Sequence, residues 1–377
     1  MHVCLPLLRV IIRAVLMPGL IVDDLFAQMR LKRQGDVVSI EQISKDDGGA
    51  FCVFHLYQPR GLSANVVRAI AMLAELKVKV VAVSNVPLLP GDLETLRPHI
   101  HTYIQRRNFG RDFGGYRRGV LHVLGRHSPN RLLLLNDSVF YAERGLRTFF
   151  TALRDAGPFV GASENHEIRH HIGSYAVSFG QQVISDPRFR LYWEDYRSTE
   201  IRPRVIYSLQ RLDAALHRAG WRELAVSAAK MPRDYEGKNP LRHVLFEALK
   251  PMRDSVPISK AALLDRASLA LPLPADELAQ DVGEQNRREL LRDLLGYVYR
   301  GSQIHWGSLL LTQYLEMPII KLDLVLRSIY KIGELGNFAP FLSEDEFAEF
   351  HALVTSRGEP LTHGSLKLKL MMMTGLV

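Results

Sequence analysis

The chain has 377 residues, 47% of them apolar and 23% charged, which excludes wholesale disorder and supplies apolar surface for one large domain and a smaller one. Its 48 Lys and Arg against 40 Asp and Glu give a net charge of +8, suited to nucleotide diphosphates or acidic phospholipid; nucleic acid is disfavoured, because the cations form no long run and no short aromatic RNA-binding signature occurs. Two cysteines, Cys4 and Cys52, have neither zinc-ligand spacing nor the density of a disulfide framework, and fit a reducing cytosol.

In chain order, residues 1–48 form an apolar, amphipathic N-terminal segment. Val3 to Val22 is mostly apolar, but Arg9 and Arg13 interrupt it and Pro6, Pro18 and Gly19 punctuate it. A spanning helix wants about 20 apolar residues with few charges, and a signal peptide wants positive charge before its apolar core and small residues after it. The segment meets neither description, leaving a helix docked on the protein's own core or one lying on a membrane surface.

From Ala50 the pattern turns α/β. Phe51 to Tyr57 predicts a buried strand, Ser63 caps a helix with Val66, Ile70, Leu73 and Leu76 on one face, and Val78 to Val83 predicts a second strand. His101 to Ile104 makes a short third strand, a helix is expected from about Gly114 to Leu124, and Arg131 to Asn136 is a further apolar strand. Continuous apolar strands alternating with helices predict a parallel sheet covered on both faces, with ligands at the carboxyl ends of its strands. The expected domain runs over 49–225. Beyond it, 226–377 is expected to be mainly helical, with a loop near 275. Asn239-Pro-Leu-Arg-His243 leading to Pro257-Ile-Ser-Lys260 and Gln303-Ile-His305 leading to Pro318-Ile-Ile-Lys321 look like two copies of one unit, by duplication or by chance.

Three stretches carry chemistry. Arg106-Arg-Asn-Phe-Gly-Arg-Asp-Phe-Gly-Gly-Tyr-Arg-Arg118 combines Gly110, Gly114 and Gly115 with clustered arginines. Glycines let backbone approach a ligand, a helix N-terminus favours phosphate, and guanidinium groups bind phosphate in pairs of hydrogen bonds. Asp112 could accept a ribose hydroxyl or simply neutralise its neighbours, and the whole stretch is equally a Gly turn followed by a solvated basic face. Asn136-Asp137-Ser138 ends an apolar strand abruptly, placing Asp137 as a lean ligand for Mg²⁺ or Mn²⁺ or as part of an ordinary Asx turn. The third stretch, Gly161 to Tyr175, holds His166-Glu167-Ile168-Arg169-His170, a formal zinc-hydrolase match. Glycines flank it and a strand-like run follows, so a loop presenting Glu164, His166 and His171 to an acceptor competes with it.

Together these pieces resemble the rhamnan synthesis protein F family of polysaccharide-synthesis glycosyltransferases. The resemblance rests on Val83-Ser84-Asn85, the block from Arg107 to Arg118, Leu135-Asn136-Asp137-Ser138-Val139-Phe140, Gly161, His171-Ile-Gly-Ser-Tyr175 and Phe189-x-x-Tyr-Trp193, over roughly 50–330. It implies a GT-A-like, Rossmann-like α/β nucleotide-sugar domain, acting at the cytoplasmic face of the membrane. The implied partners are a nucleotide-sugar donor such as dTDP-L-rhamnose and a lipid-linked or growing glycan acceptor. Donor-binding positions would be Ser84, Asn85, Arg107, Asn108, Gly110, Arg111, Asp112, Gly114, Gly115, Tyr116, Asn136, Asp137 and Ser138, with Asp137 also at the metal position. His166, His171, Ser174 and Tyr175 would face the acceptor, and Glu164 or Asp213 would be the base. The family often carries a Glu in the helix before a Leu-x-x-x-Gly segment, and the match here, Leu209 ahead of Leu216 to Gly220, has none. That departure motivates a second hypothesis, a sugar-nucleotide-binding or assembly subunit without turnover.

Overall fold

In the computed structural model the described residues are 4–155, 157–165, 171–201, 204–205, 207, 223–225, 302–327, 329–358 and 370. The chain divides into two compact units, and neither is contiguous. The first comprises Met1–Asp137, Ser174–Arg222 and Glu359–Val377; the second comprises Ser138–Gly173 and Glu223–Gly358.

The first unit opens with α1 (Cys4–Gln34) and β1 (Val37–Gln42), followed by β2 (Ala50–Leu56), α2 (Ala64–Glu75), β3 (Val78–Ser84) and α3 (Pro90–Leu96). Next come β4 (Thr102–Arg106), α4 (Arg111–Arg126) and β5 (Arg131–Asn136), and later a strand Ala176–Gly180 and a helix Pro187–Asp195. Within this unit the strands of the sheet stand in the order β1, β4, β3, β2, β5, Ala176–Gly180. The four middle strands are parallel, and the two outer ones pair antiparallel with β4 and β5. β2, β3 and β5 are buried along nearly their whole length, which is why they read as unbroken apolar runs rather than as alternation. The expected α/β class with a mainly parallel, Rossmann-like sheet is what the chain forms.

Local expectation and structure part in two places. Ser63 stands at the N-cap of α2, but its side chain makes no capping hydrogen bond; Leu56, Tyr57 and Gln58 lead in, and the Ser63 amide donates instead to Gln58 Oε1 at 3.2 Å. More consequentially, α4 begins at Arg111, not near Gly114, so the tandem glycines lie inside the helix. The start is set by Gly110 in the left-handed conformation at φ 85°. Gly119, further along α4, brings the helix onto β2: a Cβ there would lie 2.3 Å from Val53 Cγ1.

In the second unit, Ile319–Lys321 pairs antiparallel with Val139–Tyr141, and Glu223–Ala225 pairs parallel with Phe159–Gly161. A core forms around Phe140, Ile320, Leu324, Phe338 and Phe350. The helix Glu344–Thr355 starts in a reciprocal capping box: the Glu346 amide donates to Ser343 Oγ at 3.3 Å and the Ser343 amide to Glu346 Oε2 at 3.1 Å. The other Glu346 oxygen accepts the Glu143 amide at 2.7 Å, tying the cap into the core. Ser343→Ala is expected to cost about 1 kcal/mol, read as a lower denaturation midpoint at unchanged m-value. The earlier copy of the suspected repeat, Asn239 to Leu264, and the loop near 275 lie outside the described residues.

Candidate functional site

Connections from β2 lead through β3 to β4 on one side of the sheet, while β5 lies on the other side of β2. In open α/β sheets the crevice at such a reversal, outside the carboxyl ends of the two strands, is where ligands bind. Here it falls at the ends of β2 and β5. Asp137, just past β5, donates its amide to the His55 carbonyl at 3.3 Å. Its Oδ2 accepts the Tyr57 amide and Gln58 Nε2, the latter at 2.7 Å. One carboxylate oxygen thus pins the loop leaving β2 to the end of β5.

Next to it the two polar motifs meet. Asn136 Nδ2 donates to Asp112 Oδ2 at 3.0 Å, and Asp112 Oδ1 accepts the Phe113 amide at 3.0 Å in the first turn of α4. Asn85, at the end of β3, donates to Asn108 Oδ1 at 3.3 Å and to the Arg111 carbonyl at 3.4 Å, while its own Oδ1 accepts Arg106 Nη1 at 2.8 Å. Asn85, Asn108, Arg111, Asp112, Asn136 and Asp137 are therefore gathered in one unit at one edge of the sheet. Tyr116 lies on the same helix, its hydroxyl donating to the Ser174 carbonyl at 3.0 Å. Ser84 is fully buried and donates to the Val86 carbonyl, and exposed Arg107 is held through its amide on the Asp36 carbonyl at 2.8 Å.

The glycines have an inward job. A Cβ on Gly115 would lie 2.2 Å from His55 Cδ2, and one on Gly114 would lie 2.7 Å from the Phe109 carbonyl and 2.9 Å from Arg106 Nη2. At Gly110, a Cβ would meet Ser198 Cβ at 2.5 Å. Their faces open onto protein atoms, so close packing of α4 and its leading loop already requires them. Several arginines are structural as well. Arg106 is 2% exposed and donates Nη2 to the Phe109 carbonyl at 2.8 Å; Arg118 pairs with Asp36; Arg117 Nη2 donates to the Glu194 carbonyl at 3.3 Å. Arg111 is one-third exposed, its Nε donating to the Glu200 carbonyl at 3.2 Å.

Sequence reasoning missed Glu200 and His55. The Glu200 carboxylate accepts the Gly110 amide at the start of α4, an acid drawn to the positive end of the helix from far along the chain. No local signal marks it. His55 is 4% exposed beneath Gly115, and burial, then the Arg106 charge, push its pKa down to about 3, so it is neutral. A histidine near the end of an apolar strand at the candidate edge was the available signal.

Other expected residues fall elsewhere. The chain passes from the first unit to the second between Asp137 and Ser138, and Ser138 Oγ accepts Lys321 Nζ at 2.9 Å. His171 is buried in the second unit, where Glu164–Asn165 pairs antiparallel with His171–Ile172; this places strands on both sides of the zinc-like sequence. Ser174 and the buried Tyr175 belong to the first unit. His166 and Asp213 lie outside the described residues. Among the described residues no three His, Cys, Asp or Glu side chains gather as a metal ion needs.

Residues 80–328, more than half of the chain, match the family described as rhamnan synthesis protein F. The chain belongs to that family. The span matched to rhamnan synthesis protein F opens inside β3 and takes in both polar motifs. The uncharacterized protein y4gN of Sinorhizobium fredii is 35% identical over 161 residues, 41% of this chain and 42% of that protein. The virulence protein VirA of Vibrio anguillarum is 30% identical over 86 residues, 22% of this chain and 27% of that one. The chain thus spans less than half the length of these curated relatives. Among solved structures, the mannosyltransferase PcManGT from Pyrobaculum calidifontis, in complex with GDP-Man and Mn²⁺, is 11% identical, with 97% of each chain covered and a TM-score of 0.31. The glycosyltransferase GlyE of Streptococcus pneumoniae TIGR4 is 9% identical, with 72% of this chain and 64% of that one covered and a TM-score of 0.29.

Proposed function

We propose that the chain is a glycosyltransferase of polysaccharide synthesis that takes a sugar from a nucleotide donor bound where β2 and β5 end. The observation that carries this is the Asp112–Asn136 hydrogen bond, which joins the two polar motifs at the point where the strand order reverses. Family membership supports the class of chemistry.

In this reading Arg107 and Arg111 face the diphosphate, the Asn85, Asn108 and Asn136 amides supply directed hydrogen bonds, and Asp112 meets the ribose. Departure of a nucleoside diphosphate builds up negative charge, and cations held in place beforehand lower that barrier without reorganising. Glu164 or Asp213 deprotonates the acceptor hydroxyl, with His166, His171, Ser174 and Tyr175 on the acceptor side. dTDP-L-rhamnose is the proposed donor and a lipid-linked or growing cell-surface glycan the acceptor, with the reaction on the cytoplasmic side.

A Mg²⁺ or Mn²⁺ ion would neutralise the leaving diphosphate. Asp137 alone does not make a site for it: one of its oxygens already accepts Tyr57 and Gln58, and no cluster of metal-type ligands surrounds it among the described residues. No step is therefore routed through a cation held by the described residues. The lack of a Glu ahead of Leu216 to Gly220 motivates the second reading, donor binding without turnover.

Thermal unfolding against a panel of nucleotides and nucleotide sugars, with and without Mn²⁺, tests both. A donor at one hundred times its dissociation constant adds about 2.7 kcal/mol of stability. The expected result is stabilisation by one nucleoside diphosphate sugar, lost in Arg111→Ala. Absence of any shift in protein that melts cooperatively sinks the donor site, whereas a shift without release of nucleoside diphosphate in the presence of acceptor selects the second reading.

A further inference from the structure

Thirteen large apolar side chains are exposed among the described residues, and six of them, Ile11, Val15, Val22, Leu25, Phe26 and Met29, stand on α1. Val15 is 72% and Phe26 62% exposed. At about 100° per residue they share an arc roughly 100° wide on the side of the helix opposite Asp24, and at about 1.5 Å per residue the stripe is some 27 Å long. Such a continuous stripe is far more than the scattered apolar residues every surface carries.

The other side of α1 is fixed. Asp24 is 3% exposed, its Oδ2 accepting Gln28 Nε2 at 3.0 Å and Arg204 Nη1 at 3.2 Å, and its Oδ1 accepting the Glu200 amide at 3.1 Å. Gln28 Nε2 also donates to the Ser198 carbonyl at 3.3 Å. These bonds set the rotation of the helix about its axis and leave the apolar stripe outward.

The charge around the stripe decides among occupants. Arg30 and Lys32 flank the C-terminal end of the stripe and Arg33 falls within its arc, all three exposed, whereas Arg13 lies on the Asp24 side of the helix; the single exposed acid between residues 11 and 34 is Asp23. A second copy packed parallel would set these cations against their own counterparts. Crossing a bilayer is also excluded for this helix, since none of the described helices is long and apolar enough. An apolar face with Arg30, Lys32 and Arg33 gathered at one end matches the boundary of an anionic bilayer, where acyl chains take the apolar side chains and headgroups take the cations.

We propose that the outward face of α1 rests on an anionic lipid surface. Because Asp24 binds the segment whose Glu200 caps α4, the helix that touches lipid is tied directly to the candidate donor site.

Flotation of the full chain with extruded vesicles tests this, comparing equal phosphatidylglycerol and phosphatidylcholine with phosphatidylcholine alone. The wild-type protein is expected to float with the anionic vesicles and to stay down with the neutral ones. Val15→Glu/Val22→Glu/Phe26→Glu, at exposed positions, is expected to reduce flotation at least tenfold with an unchanged melting temperature. Replacing Arg30, Lys32 and Arg33 with Gln is expected to lower the partition coefficient about fivefold per cation. Failure of wild type to float on anionic vesicles, equal flotation on neutral ones, or equal flotation of the triple Glu variant each overturns the proposal. So does light scattering that finds a wild-type dimer converted to monomer by the triple variant with no flotation by either, which would assign the face to a second copy.

Discussion

Between pH 6.5 and about pH 4.5 the folded chain is expected to lose about 5 kcal/mol of stability, comparable to the whole stability of a typical domain. Two buried histidines carry this. His55 is held neutral beneath α4, its pKa pushed down to about 3 by burial and then by Arg106, while Asn85 pulls the other way. His122, 8% exposed, is pushed down to about 4 by burial and then by the charge of Arg126, with His127, His101 and Arg118 adding to it. His122 belongs to a group at the opposite edge of the sheet. There His127 stacks on Phe51 at 4.8 Å and His101 meets Phe51 edge-on at 5.4 Å; Lys79 lies over the same ring and Asp47 Oδ1 accepts from His127 Nδ1 at 3.0 Å. His101, whose Nε2 lies 2.9 Å from the Asp46 carbonyl, is also shifted down by burial.

The sign follows from which state takes up protons. Each folded pKa lies below the unfolded value of 6.5, so the contribution is complete above 6.5 and is lost as pH falls toward the folded values. In that window the unfolded chain binds protons that the folded chain refuses, at about 1.4 kcal/mol per pH unit for each histidine. Urea unfolding at several pH values measures the slope directly. His122→Gln is expected to remove about half of the slope due to these two residues. A stability flat from pH 6.5 to 4.5 would show that neither imidazole is kept neutral by the fold.

Gly115→Ala carries the second large effect. Alanine is the better helix former by about 1 kcal/mol, so propensity alone predicts stabilisation. Packing predicts the reverse, because the new Cβ would sit 2.2 Å from His55 Cδ2 and 3.1 Å from its Cγ and Nε2. His55 is buried and its ring is held edge-on to Tyr116 at 6.3 Å, so it has little room to give way. Overpacking of this kind costs about 1–3 kcal/mol, and a net loss of about 2 kcal/mol is expected by chemical denaturation. His55→Ala/Gly115→Ala is expected to recover part of it, giving a coupling of more than about 1 kcal/mol. If Gly115→Ala instead kept full stability and only abolished the nucleotide-induced shift, the glycine would serve ligand approach, as its motif first suggested.

How far the site was legible depended on distance along the chain. The strands β2, β3 and β5 could be read because parallel strands buried on both faces need unbroken apolar runs, and their polar terminations marked the candidate edge. Asn85 and Asn136 were found that way, and Asp112 through the glycine- and arginine-rich block that follows β4. The start of α4 was not, since nothing local shows that Gly110 turns left-handed at φ 85° and that Arg111 follows it at φ 51°. Nor could the order of the strands be read, and that order is what makes the end of β5 meet the end of β2.

By itself the sequence determined the class of fold, the polar residues that end its strands and, through Asn108-Phe-Gly-Arg-Asp-Phe-Gly-Gly115, the family, because these depend on residue type and short-range spacing. Tertiary structure alone decided the rest. The tandem glycines face Arg106 and His55, Glu200 sits at a helix start ninety positions away, and α1 turns its apolar side outward because Asp24 is bonded inward. Each of these is a contact between distant segments. One-dimensional periodicity states which side chains share a face, but only the partner packed against that face decides which way it points.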